Sequence, residues 1–356
     1  MINEKALIAM SGGVDSSVAA YMTKAAGYSI IGATMQLHDG SKGDGELMSC
    51  SQNDVEDARR VANKLGIPFY VLNFKDDFDK KVIRSFIEGY EKGITPNPCV
   101  DCNRYIKFEL MHKFAEEQGQ DFVVTGHYAR TEYDSGSGRF LLKRAVDNRK
   151  DQSYVLFSLS QKQLEHTMFP LGEISKNEAR EIAEAQGFDN AQKKESQDIC
   201  FIPDGDYSAY IKNYTGKTYP EGNFVYKDGT LLGRHKGIIR YTIGQRKGLG
   251  LALPHPMYVC DKDIENNVVI LGESEDLFSR NLEVYDFNWI ACEAPKSDIR
   301  ADVKIRYSQN ANPARIIPLN EERVKIEFDE AQRAVTKGQV AVLYDGDVVI
   351  GGGIIA

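Results

Sequence analysis

Over its first half, the chain alternates apolar runs of strand length with stretches whose apolar residues recur at helical spacing. Lys5-Ala-Leu-Ile-Ala-Met10 is the first such run. Only Ser11-Gly-Gly13 separates it from Val14-Asp-Ser-Ser-Val-Ala-Ala-Tyr-Met22, which starts a helix. Ser29-Ile-Ile-Gly-Ala-Thr-Met35 reads as a buried strand, Val55 to Leu65 as a helix, and Pro68-Phe-Tyr-Val-Leu72 as a third strand. Asp77 to Tyr90 and Tyr105 to Gln118 follow as helices, and Phe122-Val-Val-Thr125 as a short strand. Strands alternating with helices predict an α/β fold with a doubly wound parallel sheet. Ligands of such sheets sit at the carboxyl ends of the strands, where Ser11, Met35 and Gly126 fall. Asp134-Ser-Gly-Ser-Gly138 reads as a hairpin tip between Ala129–Tyr133 and Arg139–Arg144. Ser175 caps a helix that Gly187 is suited to end.

From about Asp206 glycines become frequent and short β-rich runs replace the long helices. Val303-Lys-Ile-Arg-Tyr307, Val324-Lys-Ile-Glu-Phe328 and Val340-Ala-Val-Leu-Tyr344, with a turn at Asp345-Gly346, predict a small antiparallel β-barrel. The expected division is therefore an α/β domain over residues 1–205, a central module over 206–275 and a C-terminal barrel over 276–356. At 356 residues, more than one core is required. Gly216-Lys-Thr218 imitates the end of a Walker A loop, but Ile211 stands where its first glycine belongs.

Composition changes this picture in three places. No apolar stretch reaches membrane-spanning length, so no membrane association is expected. Six cysteines are too few for a disulfide scaffold in a chain this long, which points to a reducing, cytoplasmic setting. The net charge of −8 argues against indiscriminate nucleic-acid binding. Yet the stretch from Thr230 to Cys260 has no Asp or Glu and carries Arg234, Lys236, Arg240, Arg246 and Lys247, a candidate phosphate-backbone contact.

The candidate chemistry begins at Ser11-Gly-Gly-Val-Asp-Ser-Ser17. Adjacent glycines allow a sharp turn whose N–H groups approach an anion, and a helix N-terminus favours negative charge. Asp15, Ser16 and Ser17 are candidate caps. Cys102 lies just before the helix expected from Tyr105, and a thiol at a helix N-terminus has a lowered pKa, which suits a nucleophile. Cys200 lies in Lys193-Lys-Glu-Ser-Gln-Asp-Ile-Cys-Phe-Ile202, while Cys50, Cys260 and Cys292 read as small apolar fillers.

The loop matches the pyrophosphate-binding loop of ATP pyrophosphatases, and further strings follow in a fixed order. They are Thr95-Pro-Asn-Pro98, Cys102-Asn103, Ile106-Lys-Phe108, Thr125-Gly-His-Tyr128, Lys150-Asp-Gln-Ser-Tyr154, Ile199-Cys-Phe-Ile202, Gly244-Gln-Arg-Lys-Gly-Leu-Gly250 and Gly351-Gly-Gly-Ile-Ile355. Over nearly its whole length the chain resembles the tRNA-specific 2-thiouridylases. The resemblance implies an enzyme that puts sulfur at C2 of the wobble uridine in tRNAs of the Lys, Glu and Gln type, splitting ATP to AMP and diphosphate. It implies ATP contacts from Ala9, Met10, Ser11, Gly12, Gly13, Val14, Asp15, Ser16, Met35 and Gly126. Cys102 corresponds to the nucleophile and Cys200 to the persulfide carrier, the pair ending as a disulfide. Asn97, Pro98 and position 99 border the target base. His127, Lys150, Asp151, Gln152, Arg306, Tyr307 and Gln339 correspond to tRNA contacts. Asp15 is a candidate to place Mg2+ on the phosphates, and the sulfur donor implied is a cysteine desulfurase or a relay protein.

One position departs from the family pattern. Cys99 stands where many members carry Asp, so Cys99, Cys102 and Cys200 together could hold a 4Fe-4S cluster or a zinc ion instead of working through a persulfide. A cluster-free persulfide route and a cluster route both remain open on these residues. Amide-forming ligases share the loop but leave the two cysteine strings unexplained. A tRNA-binding protein without catalysis would need neither thiol.

Overall fold

The computed structural model describes residues 4–38, 52–193 and 199–356. Cys50 and the glycine-rich stretch 40–46 lie outside them, as does most of the polar string preceding Cys200. In chain order, the first seven strands are β1 (Lys5–Ala9), β2 (Ser29–Gln36), β3 (Phe69–Asn73), β4 (Phe122–Val124), β5 (Ala129–Asp134), β6 (Arg139–Arg144) and β7 (Thr167–Met168). Five of them form a parallel sheet in the order β3-β2-β1-β4-β7. Strand order reverses between β1 and β4, so the loop after β1 opens at the switch point of a doubly wound sheet. The run Ala6, Leu7 and Ile8 is wholly buried, as expected for a central strand covered on both faces. Helix α1 (Val14–Ala25) lies on one side of the sheet, packing with Lys176–Ala185, and α2 (Gln52–Leu65) flanks it.

Residues 207–272 contain the helix Tyr207–Thr215 and a four-stranded sheet of β8 (Gly222–Tyr226), β9 (Leu231–His235), β10 (Tyr258–Asp263) and β11 (Val268–Gly272), in the order β10-β11-β8-β9. Gly216 ends that helix at φ +66, and Lys217 pairs with Glu91 at 2.7 Å, so the Walker-like string is a helix stop and a surface ion pair. Six antiparallel strands follow: β12 (Phe278–Trp289), β13 (Ile299–Lys304), β14 (Asn312–Asn320), β15 (Arg323–Arg333), β16 (Val340–Asp345) and β17 (Val348–Ile355). Pairing of β12 with β17 closes them into a barrel.

Two features differ from the sequence reading. The β5–β6 hairpin adds to the barrel through β6 and β17, with Val349 opposite Leu142, so it belongs to the barrel's sheet and not to the parallel one. A shared core of Phe108, Leu142, Tyr154, Phe157, Val342 and Tyr344 accompanies this pairing. Asn288 reinforces it, donating to the carbonyls of Phe157 (2.7 Å) and Leu159 (2.9 Å). The second difference lies at the cysteines. The helix expected from Tyr105 begins at Pro98, with the Asn97 side chain capping the Cys99 amide. Cys102 therefore sits a full turn inside, where Cys102–Leu110 widens into a π-helix. Its amide bonds back to the carbonyls of Pro98 and Cys99, so the expected helix-terminal thiol is not what forms.

Candidate active site

The loop after β1 is built to hold its own shape. Gly12 adopts φ +74, and a Cβ there would meet the Asp54 carbonyl oxygen at 2.3 Å, so only glycine fits. Gly13 is the N-cap of α1 and no side chain caps the helix, which corrects the expectation that Asp15, Ser16 and Ser17 do so. Instead Ser16 and Ser17 donate their hydroxyls back to the Gly13 carbonyl (3.1 and 2.9 Å), and Ser11 N–H donates to Ser16 Oγ (3.1 Å). Asn190 donates to the Gly12 carbonyl (3.0 Å) and to Ser17 Oγ (2.9 Å). With carbonyls tied inward, the first-turn amides of α1 are left for an anion, which fits the phosphates of ATP. Met10 and Val14 are core residues beneath the loop, and Ala9 ends β1. Gly126 closes the other side. A Cβ on it would lie 2.7 Å from Ser16 N and 2.8 Å from the Asp15 carbonyl carbon.

Asp15 is the charged centre of this loop. Both carboxylate oxygens accept from Lys176 Nζ, at 2.7 and 2.8 Å, and one also accepts from the Tyr128 hydroxyl at 2.8 Å. Lys176 is buried at 6% exposure and Tyr128 at 2%. Lys176 is absent from the sequence candidates, because it reads there only as the first residue of a capped helix. Its partner carboxylate is already engaged, and among the described residues no three His, Cys, Asp or Glu side chains are grouped to hold a metal ion. Asp15 therefore does not fit a protein-built Mg2+ site. Lys193, bonded to Asp54 (2.5 Å) and Asp57 (2.7 Å), also reaches the Gly12 carbonyl at 3.4 Å.

The structure brings Cys102 and Cys200 into one apolar cluster. Cys102, 7% exposed, belongs to a cluster that also contains Phe78, Phe86, Ile106, Phe201 and Ile202, and the partly buried Cys200 packs against that cluster. Met35, at the carboxyl side of β2, packs on this cluster too, so the cluster that holds the thiols reaches the carboxyl end of the sheet. Cys99 is exposed and outside the cluster. The three cysteines thus form no ligand set, and they do not fit a 4Fe-4S cluster or a zinc ion. Cys260 and Cys292 behave as the fillers expected: Cys292 packs on the barrel core, and burial pushes the Cys260 thiol up to about 11.

Most residues expected at the RNA gather where the barrel meets the α/β layer. Gln339 donates to the Thr95 carbonyl (2.7 Å) and Thr95 N–H to the Lys337 carbonyl (2.8 Å), which places Gln339 beside the Asn97-Pro98 turn. Arg306 bonds to the Ala334 carbonyl at 2.6 Å, and Tyr307 is exposed with its ring 6.1 Å from Tyr154. Lys304, absent from the sequence candidates, lies 5.3 Å from the Tyr307 ring and 5.6 Å from Tyr154. Asp151 is buried and serves the backbone, accepting from the amides of Ala145 and Ser153. His127 is buried also. Its Nδ1 lies 2.8 Å from Thr125 Oγ1, its ring packs near Phe108 and Phe169, and burial pushes its pKa well down, so the ring is neutral. The five basic residues from Arg234 to Lys247 are all exposed.

A glycine-shaped anion cradle at the switch point of a parallel sheet defines a nucleotide-splitting enzyme of the ATP pyrophosphatase type. Three family models cover almost the whole chain: a tRNA methyl transferase HUP domain over residues 4–204, a PRC-barrel domain over 208–273 and an aminomethyltransferase β-barrel domain over 279–355. The chain is 52% identical to the tRNA-specific 2-thiouridylase MnmA of Clostridioides difficile, over 99% of this chain and 98% of that one. It is 49% identical to the protein of that name from Acetivibrio thermocellus, over the full length of both. A solved 4-thiouridine synthetase in complex with RNA and ATP is 19% identical over 60% of this chain and 50% of that one, with a TM-score of 0.35. The chain belongs to the tRNA-specific 2-thiouridylase family, a family of tRNA sulfurtransferases.

Proposed function

We propose that this protein uses ATP to replace the C2 oxygen of the wobble uridine with sulfur, in tRNAs with Lys, Glu and Gln anticodons, through a persulfide on Cys200. The observation that carries this reading is that Cys102 and Cys200 share one apolar cluster, on which Met35 at the carboxyl end of β2 also packs. On it, residues 1–205 are the catalytic domain, 206–275 a central RNA-contacting module and 276–356 the barrel, and the enzyme works in the cytoplasm, where its thiols can be reduced again.

A uracil C2 carbonyl resists substitution because oxide is a poor leaving group. Attack of that oxygen on the α-phosphorus of ATP makes it an adenylate and releases diphosphate, whose charge the first-turn amides of α1 stabilise. Mg2+, carried in with the nucleotide, supplies charge neutralisation. The terminal sulfur of the Cys200 persulfide then attacks C2 and AMP leaves. The Cys102 thiolate attacks Cys200 Sγ, breaking the bond to the transferred sulfur and releasing 2-thiouridine. The two cysteines end as a disulfide that an external dithiol reduces, and a cysteine desulfurase or relay protein reloads Cys200. The base reaches this pocket flipped out of the anticodon loop, past Asn97, Pro98 and Cys99. Arg306, Tyr307, Gln339 and the Lys150–Gln152 segment support the RNA outside.

Cys200→Ser separates the two halves of the reaction. Diphosphate should still form when tRNA is present, up to about one equivalent of bound base held as its adenylate, while mass spectrometry of the wobble nucleoside should find no 2-thiouridine. Thiolation that survives this substitution would remove the persulfide reading.

A further inference from the structure

The string Thr125-Gly-His-Tyr128 ends in a residue to which the sequence assigns no role, and it touches both ends of the site. Tyr128 donates its hydroxyl to Asp15 in the ATP loop (2.8 Å), and its ring lies 5.9 Å below Lys176 Nζ. At the backbone it pairs twice with Gln152: Tyr128 N–H donates to Gln152 Oε1 (2.9 Å), and Gln152 N–H donates to the Tyr128 carbonyl (2.8 Å). Gln152 in turn opens a short segment that reaches the rest of the site. Val155 accepts from the side chain of Asn103, the neighbour of Cys102, at 3.1 Å. The Tyr154 hydroxyl donates to the Val340 carbonyl (2.9 Å), next to Gln339, and its ring meets the exposed Tyr307.

We propose that Tyr128 is the positioning residue that couples RNA docking at the 150–155 segment to the ATP loop, by setting the Asp15 carboxylate. The inference rests on the function proposed above only in taking ATP and a uridine-bearing RNA as the two ligands. Its warrant is contiguity of buried groups with fixed geometry. Tyr128 is almost wholly buried, so a displacement of the segment bonded to its backbone has no solvent gap in which to dissipate before it reaches Asp15. A loop set this way would bind ATP productively only after RNA has arrived, sparing ATP from wasteful hydrolysis.

The test is a linkage measurement. The dissociation constant of α,β-methylene-ATP, which cannot adenylate the base, is measured on the full chain with and without a saturating anticodon stem–loop carrying wobble uridine. Wild-type protein should show a change of about fivefold or more between the two conditions. In Tyr128→Phe, which keeps the ring and loses only the hydroxyl, the ratio should fall to within about twofold of unity, with RNA affinity and melting temperature held. A purely structural role would alter affinity or stability without altering the ratio. A Tyr128→Phe ratio equal to that of wild type overturns the proposal, as does a wild-type ratio of one. Should Tyr128→Phe not fold, Gln152→Met breaks the other end of the link and should erase the ratio likewise, and a preserved ratio there also overturns it. Failure of the wild-type protein to bind either ligand would instead count against the proposed function.

Discussion

Lys176→Met tests the idea that Asp15 is useful to ATP only while its charge is matched. The substitution keeps the aliphatic stem and removes the ammonium that both Asp15 oxygens accept from at 2.7 and 2.8 Å. Breaking a buried ion pair by deleting one partner costs about 3–5 kcal/mol. The Lys176 side chain is 7% exposed but that of Asp15 is 32% exposed, so water recovers part of the loss and about 2–3 kcal/mol remains. The orphaned carboxylate then faces the phosphates. One uncompensated charge about 6–10 Å from a phosphate, at an effective dielectric of about 20, opposes binding by about 2 kcal/mol, or roughly thirtyfold in affinity. Calorimetric titration with α,β-methylene-ATP should therefore show a dissociation constant raised by one to two orders of magnitude, and hydrogen exchange should show loosening of Lys176–Ala185. The decisive comparison is Asp15→Asn combined with Lys176→Met, which removes both charges. It should bind the nucleotide better than Lys176→Met alone, although both variants lack the lysine. A double variant no better than the single one would refute charge matching, and so would an unchanged affinity in the single variant.

Two further outcomes follow from the geometry. Gly126→Ala puts a methyl group 2.7 Å from Ser16 N, a backbone atom that can yield only by moving the loop, so ATP affinity should fall about 5- to 100-fold while overpacking costs about 1–3 kcal/mol; titration calorimetry against thermal unfolding separates the two. Burial raises the Asp101 carboxyl to about 6, against the hydrogen bond from Ser85 and the charge of Arg104, with Asp286 adding to the rise. The unfolded chain releases that proton first, so stability contributed by Asp101 is present below about pH 4, is lost as pH rises to about 6, and stays lost above. Asp101→Asn should flatten that part of the melting-temperature profile and raise the plateau above pH 6, and identical profiles would discount the burial.

The strand–loop–helix around Gly12 was legible because each of its signals is local: a buried run, paired glycines, then helical spacing. The start of the cysteine helix was legible in principle. Asn97 before Pro98 is a good cap followed by a residue suited to the first turn, yet two prolines within Thr95–Pro98 read equally well as a loop before a helix from Tyr105. Other features leave no local trace. Nothing in a Ser-Lys-Asn-Glu cap says that its lysine neutralises an aspartate in the first helix, since an ion pair between distant elements imposes no periodicity. The docking of β6 on β17 was hidden for the same reason, because a hairpin reads alike whichever sheet its edge joins.

The placement of the thiols also explains why the chain needs its middle module. The cluster around Cys102 and Cys200 is only half made by the α/β layer: Phe78, Phe86 and Tyr90 come from the helical stretch before the cysteine helix. The other half is Ile211, Phe224, Ile238, Val259, Val269 and Leu271, all within residues 207–272. Tyr90 stacks on Tyr207 with ring centres 4.5 Å apart, and Gly93 approaches Ile264 so closely that a Cβ would lie 2.7 Å from its terminal methyl. Without the module, that apolar wall would face water at a cost of about 25 cal/mol for each Å² uncovered, and Cys200 would lose one side of its enclosure. A persulfide is consumed by any small thiol that reaches it, so on the mechanism proposed above a dry wall beside Cys200 would protect the sulfur until the activated base arrives. The module is thereby tied through packing to the cluster that holds both thiols.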